Sequence, residues 1–193
     1  MLDLCSSWVS HFPRGRAVGG KVGSGTGSGG EEGKGRGEEV LEVVGLGMNA
    51  AEMEKNPILT SYILQDLNTS PTIPPQIGLL DATVCTVSID YLTQPLAVMK
   101  SLLARTKVGG KVHLVISNRC FPSKVVGRWL RVGEEERVQM VGDYLWWGGW
   151  RGVEVVEVCD GGGGGWFGGV DPLWVVRGMK VEGEGKVEEK AEL

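Results

Sequence analysis

The most regular hydrophobic pattern in the chain lies between residues 81 and 122. Two apolar runs rich in β-branched residues, 82–89 and 111–116, flank a segment whose apolar residues recur at helical spacing. The inner face of that helix is formed by Leu92, Leu96, Met99 and Leu103. Pro95 suits its first turn, and Val108-Gly109-Gly110 ends it. Because runs with so little polar alternation are typical of strands covered on both faces, the pattern predicts a strand–helix–strand crossover of a parallel sheet.

Similar patterns on either side of this crossover predict an α/β fold with seven strands. The other strands are expected at residues 1–4, 38–45, 62–64, 152–159 and 173–176. A short helix is expected at 50–55, where Asn49 suits the N-cap and Glu52 the capping-box position. Further helices are expected around residues 126–130 and from 134 to 147, where three glutamates open the second of them.

Glycine is far more frequent than in ordinary globular chains, at 32 of 193 residues, and it is unevenly distributed. Residues 14–37 form a Gly/Ser-rich segment with almost nothing to bury, and residues 160–169 form a second glycine-rich loop. Residues 181–193 form a charged tail. We therefore expect one domain over residues 1–180, with a disordered insertion at 14–37, a loose loop at 160–169 and a disordered tail at 181–193.

The first glycine tract contains two patterns that bind phosphates in other proteins. Residues 29–34 read GGEEGK, but glycine follows where a serine or threonine would hold magnesium, and no strand precedes the motif. Gly25, Gly27 and Gly30 match GxGxxG, a pattern that arises by chance in so glycine-rich a segment. The tract is therefore interpreted as a linker.

The charge and hydropathy of the chain disfavour several classes of partner. A net charge of −4 and a pI near 5.3 provide no basic surface for nucleic acid or an anionic membrane. No apolar run approaches the roughly 20 residues that span a bilayer, and the N-terminus lacks the features of a signal peptide. The four cysteines make no CxxC pair and are expected to be reduced. We expect a soluble cytoplasmic protein, or a plastid protein if a targeting segment lies upstream.

Some prominent side chains allow a structural as well as a functional interpretation. His113 lies inside an apolar strand and is expected in the core, far in sequence from His11. Trp146, Trp147 and Trp150 lie near glycines at a helix end. They either pack in the core or line a surface for a substrate or partner.

Five stretches carry a resemblance to a known family: MLDLCSSWVSHFP, VVGLGMNAAEMEKNP, YILQDLN, the crossover at 81–122, and DPLWVVRGMK. The chain resembles the class I S-adenosylmethionine-dependent methyltransferases, in particular the methyltransferase type 11 group and its plant and cyanobacterial members with a D-L-x-S-S-W-V-S-H motif. The resemblance covers residues 1–13, about 40–159 and 171–180.

The resemblance implies a Rossmann-like sheet in which strands 1–5 are parallel and the last two form an antiparallel hairpin. It also implies S-adenosyl-L-methionine as cofactor and a small-molecule methyl acceptor. The first predicted strand starts at the first residue, so the family's N-terminal covering helix is expected to be missing and the chain to be truncated.

The resemblance assigns the loop after the first strand to the methionine part of the cofactor. Asp3 matches the family's acidic position, while Cys5, Ser6 and Ser7 stand where glycines are usual. Serines can offer N–H and hydroxyl groups to a carboxylate, but their side chains narrow the space.

The ends of the second and third strands are assigned to the nucleoside. Met48 and Asn49 occupy the place of the acid that accepts the ribose hydroxyls, and Asn49 either does so weakly or only caps the next helix. Asp66 matches the acid that bonds the adenine amino group, with Leu67 near the ring; the alternative is a solvated turn aspartate.

The ends of the fourth and fifth strands are assigned to the cofactor and substrate. Ser88, Asp90 and Tyr91 match the end of the fourth strand, where Asp90 either accepts a substrate proton or caps the following helix. Asn118 and Arg119 either contact an anionic substrate group or are ordinary loop residues.

Three functional hypotheses follow from these observations. The first is a methyltransferase acting on a small molecule. The second is a truncated, cofactor-incompetent relative that serves as an interaction module or represents a partial gene model. The third is a dinucleotide-binding oxidoreductase. It is the weakest of the three, because the first loop lacks GxGxxG and no aspartate follows the second strand.

Overall fold

The structure is a computed structural model, and it describes residues 1–9, 42–162 and 171–183. The predictions for the insertion at 14–37 and His11, for most of the 160–169 loop and for residues 184–193 lie outside these ranges.

Seven strands of the described residues form one mixed sheet in the order β3-β2-β1-β4-β5-β7-β6. The strands are β1 Leu2–Leu4, β2 Val44–Gly47, β3 Ser61–Leu64, β4 Leu80–Thr86, β5 Thr106–Ser117, β6 Arg151–Cys159 and β7 Leu173–Met179. Neighbours among β1 to β5 are parallel, whereas β7 is antiparallel to both β5 and β6. This confirms the predicted α/β fold with its antiparallel C-terminal hairpin.

Three α-helices connect the described strands: α1 Ala50–Met53, α2 Pro95–Arg105 and α3 Glu134–Trp147. The predicted crossover is confirmed as β4–α2–β5. The helix predicted around residues 126–130 is wrong: the chain makes only a 3-10 turn, Trp129–Arg131. Gly127, a poor helix former, lies shortly before it, and Gly133 after it is already the N-cap of α3.

The ends of the crossover elements also differ from the prediction. Helix α2 ends at Arg105 and not at the glycines, because Thr106 is already extended and donates its hydroxyl to the Leu102 carbonyl at 2.9 Å. Gly109 lies inside β5 with φ of +80°. Strand β4 ends at Thr86, three residues before the predicted end, because Val87 turns the chain with φ of +41°.

The main core lies between the sheet and helices α2 and α3. Its buried side chains include Leu2, Leu4, Leu114, Ile116 and Val176 from the sheet, Val98, Met99 and Leu102 from α2, and Met140, Val141 and Leu145 from α3. Trp150 is fully buried there and donates its indole N–H to the Met99 carbonyl at 3.1 Å. The core interpretation therefore holds for Trp150, whereas Trp146 and Trp147 are exposed.

Candidate functional site

Strands β1 and β4 are adjacent at the centre of the sheet, and their carboxyl ends lead into connections on opposite sides. Ligands of open α/β sheets bind at such switch points. Cys5 directly follows β1 with φ of +59°, and Val87 directly follows β4 with φ of +41°. These are the described non-glycine residues with positive φ. Backbone in this region is strained for residues with a side chain, so the strain is concentrated at the switch point.

The loop after β1 is held by its own polar groups. Asp3 is buried, and the Ser6 hydroxyl donates to its Oδ2 at 2.6 Å. The Ser6 amide donates to the Leu46 carbonyl of β2 at 2.9 Å. The hydroxyl and amide hydrogens of Ser6 are thus both used within the protein, so Ser6 contributes to loop shape more directly than to ligand binding.

Two glycines of β2 allow this loop to approach the sheet. A Cβ atom on Gly47 would lie 2.4 Å from the Ser6 carbonyl oxygen, and one on Gly45 would lie 3.2 Å from the Ser6 hydroxyl and 2.6 Å from Leu59. Glycines inside a strand often mark a close backbone approach. Gly47 lies beyond the strand predicted over residues 38–45, so the sequence did not reveal this pair.

Asn56 fixes the far side of the same loop. This buried residue donates its Nδ2 to the Ser7 carbonyl at 2.9 Å and to the Val9 carbonyl at 3.4 Å, while its Oδ1 accepts the Ile58 amide at 3.3 Å. Sequence reasoning missed this residue, because the partners in the first loop lie 47 and 49 positions away.

The residues predicted at the end of β2 are exposed. The Met48 side chain is 71% exposed. Asn49 accepts the Glu52 amide at 3.3 Å through Oδ1 and donates Nδ2 to the Glu52 carboxylate at 2.8 Å. The helix-cap interpretation of Asn49 is therefore confirmed, and both ends of its amide are engaged in the cap.

The residues after β3 form a turn beside the β4 loop. Asp66 accepts the Asn68 amide at 2.8 Å and the Thr69 hydroxyl at 2.9 Å, and Leu67 is buried. Asp66 is exposed, so its carboxylate oxygens keep lone pairs for a further donor.

Asn68 links this turn to the segment after β4. Its Nδ2 donates to the Tyr91 carbonyl at 3.0 Å, and its Oδ1 accepts the Thr93 amide at 2.7 Å. Sequence reasoning missed Asn68, whose side chain joins the turn after β3 to residues 91–93.

Asp90 is a second buried carboxylate at this edge, besides Asp3. It lies on the 3-10 turn Ile89–Tyr91 and is only 5% exposed. Burial raises its pKa from 3.8 to about 6, against the opposing effects of its own backbone N–H and the Arg137 guanidinium. The helix-cap interpretation of Asp90 is wrong, because Gln94 occupies the N-cap of α2. A partly ionised buried carboxylate at a ligand edge is typical of a group that exchanges protons.

The segment after β5 covers Asp90 and is anchored by Arg137 of α3. The Val126 amide donates to the Asp90 carbonyl at 2.9 Å. Arg137 donates Nε to the Trp129 carbonyl at 3.0 Å and Nη1 to the Asn118 carbonyl at 3.5 Å, and its guanidinium lies 5.3 Å from the centre of the Trp129 ring. Sequence reasoning missed Arg137, which lies in the first turn of α3 and has partners 8 and 19 positions away.

Tyr91 and Ser88 complete the end of β4. The Tyr91 hydroxyl accepts the Phe121 amide at 3.1 Å, and the two rings are 6.4 Å apart. Burial raises the pKa of Tyr91, so this phenol remains a donor at neutral pH. The Ser88 hydroxyl donates to the Thr86 carbonyl at 2.8 Å.

The polar residues after β5 divide into two environments. Asn118 is half-buried beside Ser117, whose hydroxyl lies 3.5 Å from the Asn118 Oδ1. The exposed Arg119 pairs with Asp171 at 2.5 Å. The Asn118 carbonyl accepts from Arg137, the cation that acts on Asp90, whereas Arg119 is in a surface ion pair with Asp171.

Two concave surfaces of the described residues lie away from this edge. A groove of about 890 Å³ lies between α3 and the β6–β7 hairpin, and a cavity of about 260 Å³ lies at the amino ends of the central strands. Within residues 1–9, 42–162 and 171–183, no cluster of three His, Cys, Asp or Glu side chains is arranged to hold a metal. No described helix has the length and hydropathy to span a membrane.

No family model matches the chain, and no curated protein matches its sequence. Solved structures do match. The [4+2]-cyclase SpnF has 10% identity over 76% of this chain and 68% of its own, with a TM-score of 0.53. The S-adenosylmethionine-dependent methyltransferase SibL has 13% identity and a TM-score of 0.48. A SAM-dependent methyltransferase from Archaeoglobus fulgidus has 10% identity over 72% of this chain and 76% of its own, with a TM-score of 0.49.

These comparisons show the fold alone. The match to SpnF and the strand order show a Rossmann-like α/β sheet with an antiparallel C-terminal hairpin. The match to SibL covers 76% of this chain and only 45% of SibL.

Proposed function

We propose that the chain binds S-adenosyl-L-methionine at the carboxyl edge of β1 to β4 and transfers its methyl group to a small-molecule acceptor. The observation that carries the proposal is Asp90, a buried carboxylate with a pKa of about 6 at the switch point of a Rossmann-like sheet. The reaction class is inferred from the resemblance of the sequence to class I methyltransferases.

The residues at this edge fit the cofactor in two respects. Cys5 holds the turn after β1 in the left-handed conformation that glycine supplies in the family pattern, and Asp3 with Ser6 locks that turn. Asp66 presents an exposed carboxylate at the end of β3. We propose that the backbone of Cys5 and Ser7 holds the methionine part, and that Asp66 and Leu67 hold the adenine.

Met48 and Asn49 follow β2, whose end lies between those of β1 and β3, and Ser88 follows β4 on the other side of β1. A contact between Asn49 and the ribose would compete with its helix cap. We propose that Met48 covers the nucleoside by apolar contact and that Ser88 borders the methyl group.

When bound, the cofactor supplies an electrophilic methyl group on a sulfonium, so the protein needs mainly to orient the acceptor and exclude water. Asp90 would take the proton of an acceptor hydroxyl or amine, because above pH 6 its carboxylate is ionised and its pKa is close to physiological pH. Tyr91 and Asn118 would orient the acceptor. This assigns Asp90 a direct part in the reaction and the other two a positioning part.

Isothermal titration with S-adenosyl-L-methionine and with its demethylated product tests the proposal. We expect binding to the native protein, weakened binding to Asp66→Ala, and unchanged cofactor binding to Asp90→Asn, which lies on the acceptor side. Absence of binding to the native protein at millimolar cofactor would refute the proposal and favour a cofactor-incompetent relative.

A further inference from the structure

A groove lies between α3 and the C-terminal hairpin, and its lining includes no residue from the carboxyl ends of β1 to β4. Its floor is formed by Val153 and Val155 of β6 and Trp174 of β7, and its wall by Val138 and Trp146 of α3. The volume of about 890 Å³ matches that of a site for several side chains. Trp146 is 53% exposed and Val155 is 49% exposed, so this apolar surface faces solvent.

Strand β6 forms the border of the groove and is the last strand of the sheet. Within the described part of the chain it pairs only with β7, so its outer N–H and C=O groups have no strand beside them. Val158 is 58% exposed on the same strand. A nine-residue edge strand with exposed valines is a template for the addition of another strand.

The charge of the groove indicates which kind of strand could be added beside β6. The ionisable residues of its lining are all acidic: Glu134, Glu135, Asp143 and Glu157. None of the four is in an ion pair with another described residue. Four carboxylates beside an apolar floor create a negative potential, which would attract a cationic partner.

One contact within the protein shows how the wall accommodates a cation. The Arg151 guanidinium lies 5.0 Å from the centre of the Trp146 ring, a cation–π arrangement. The indole of this groove can therefore pack against guanidinium groups, and its neighbouring carboxylates can pair with them.

We propose that this groove and the open edge of β6 together bind an extended basic segment of a partner protein, in which lysine or arginine alternates with aliphatic residues. The backbone of the segment pairs with β6, and its residues on one side lie in the groove. Because side chains alternate along a strand, the basic residues lie on the groove side, where their aliphatic stems cover the valine floor and their charged ends reach the carboxylates. The aliphatic residues then lie on the opposite face, beside the exposed Val156 of β6. A second copy of this chain is a poor occupant, since pairing of two β6 edges would bring both acidic grooves together.

The test uses a fluorescein-labelled peptide of alternating lysine and valine, measured by fluorescence anisotropy with the full chain. The groove variant combines Glu134→Gln, Glu135→Gln and Glu157→Gln. The control variant combines Glu42→Gln, Glu54→Gln and Glu182→Gln, and so removes the same charge outside the groove. We expect the groove variant to bind about tenfold more weakly and the control to stay within about twofold. All six glutamates are exposed, so both variants are expected to fold.

A second peptide with the same sequence and N-methylated alternate amides tests the strand pairing, and we expect it to lose binding. Equal weakening in the two variants would show general charge attraction and overturn the proposal. Absence of binding by the unmodified peptide would overturn it too. Self-association that the groove variant abolishes, detected by light scattering, would overturn it in favour of a second copy. None of these outcomes depends on cofactor binding, so the proposed function is tested separately.

Discussion

Replacement of Asp90 by asparagine tests whether burial of its charge lowers the stability of the fold. The carboxylate is 5% exposed, and burial raises its pKa to about 6. In the unfolded chain the same group has a pKa near 4. The amide in Asp90→Asn has nearly the same shape and does not titrate, so the variant removes the cost of burying the charge.

The magnitude follows from the difference between the two pKa values. A difference between 3.8 and about 6 corresponds to about 3 kcal/mol. Solvent and Arg137 screen the charge, so we expect about half of this, roughly 1–2 kcal/mol. Below pH 4 both states hold the proton and the native protein has its full stability. Between about pH 4 and 6 only the folded state holds the proton, so the free energy of unfolding falls as pH rises and is constant above that window.

Urea denaturation of the native protein and of Asp90→Asn between pH 4 and 8 measures this effect. We expect equal free energies of unfolding near pH 4 and a variant more stable by roughly 1–2 kcal/mol at pH 8. A variant of Asp90 that is less stable at pH 8, or a difference that is flat with pH, would refute the buried-charge reasoning.

Three further changes test the surroundings of the site. Arg137→Met removes the cation that favours the ionised form of Asp90, so carbon-13 NMR should show the carboxyl pKa rising further above about 6; an unchanged or lowered pKa contradicts this. Gly47→Ala places a Cβ atom 2.4 Å from the Ser6 carbonyl oxygen, and overpacking of about 1–3 kcal/mol should displace the loop and weaken cofactor binding about tenfold in a titration. Unaltered affinity would contradict that account. Val87→Gly relieves a positive φ at a β-branched residue and should raise the free energy of unfolding by about 1 kcal/mol in urea denaturation; a loss of stability would show that no strain is stored there.

The strands and helices could be predicted well because each is encoded by residues that are close together in the sequence. The crossover from β4 to β5 is encoded by two apolar runs and one helical stripe, and the cap of α1 by Asn49 and Glu52. Both signals extend over a few residues, so periodicity and capping rules can detect them. The prediction was wrong where an element ends earlier than expected. Helix α2 ends at Arg105, followed by the extended Thr106, and does not continue to Gly109.

The site was predicted less completely because its interactions are distant in sequence. Asn56 reaches the Ser7 carbonyl across 49 positions, and Arg137 reaches the Asn118 carbonyl across 19. Asp90 was found only through its place at the end of a strand, and its burial depends on the cover from residues 118–131. Periodicity describes which face of an element is apolar, and it does not specify which loop a polar side chain will reach.

The central claim is that the carboxyl edge of β1 to β4 binds S-adenosyl-L-methionine. Titration of the nitrogen-15-labelled chain with the demethylated product, followed by amide NMR, tests it most directly. We predict saturable shifts at the amides of Cys5, Ser7, Leu67 and Ser88, with those of Val153 and Val155 in the hairpin groove unchanged. Shifts confined to the groove, or no shifts at millimolar ligand, would contradict the claim.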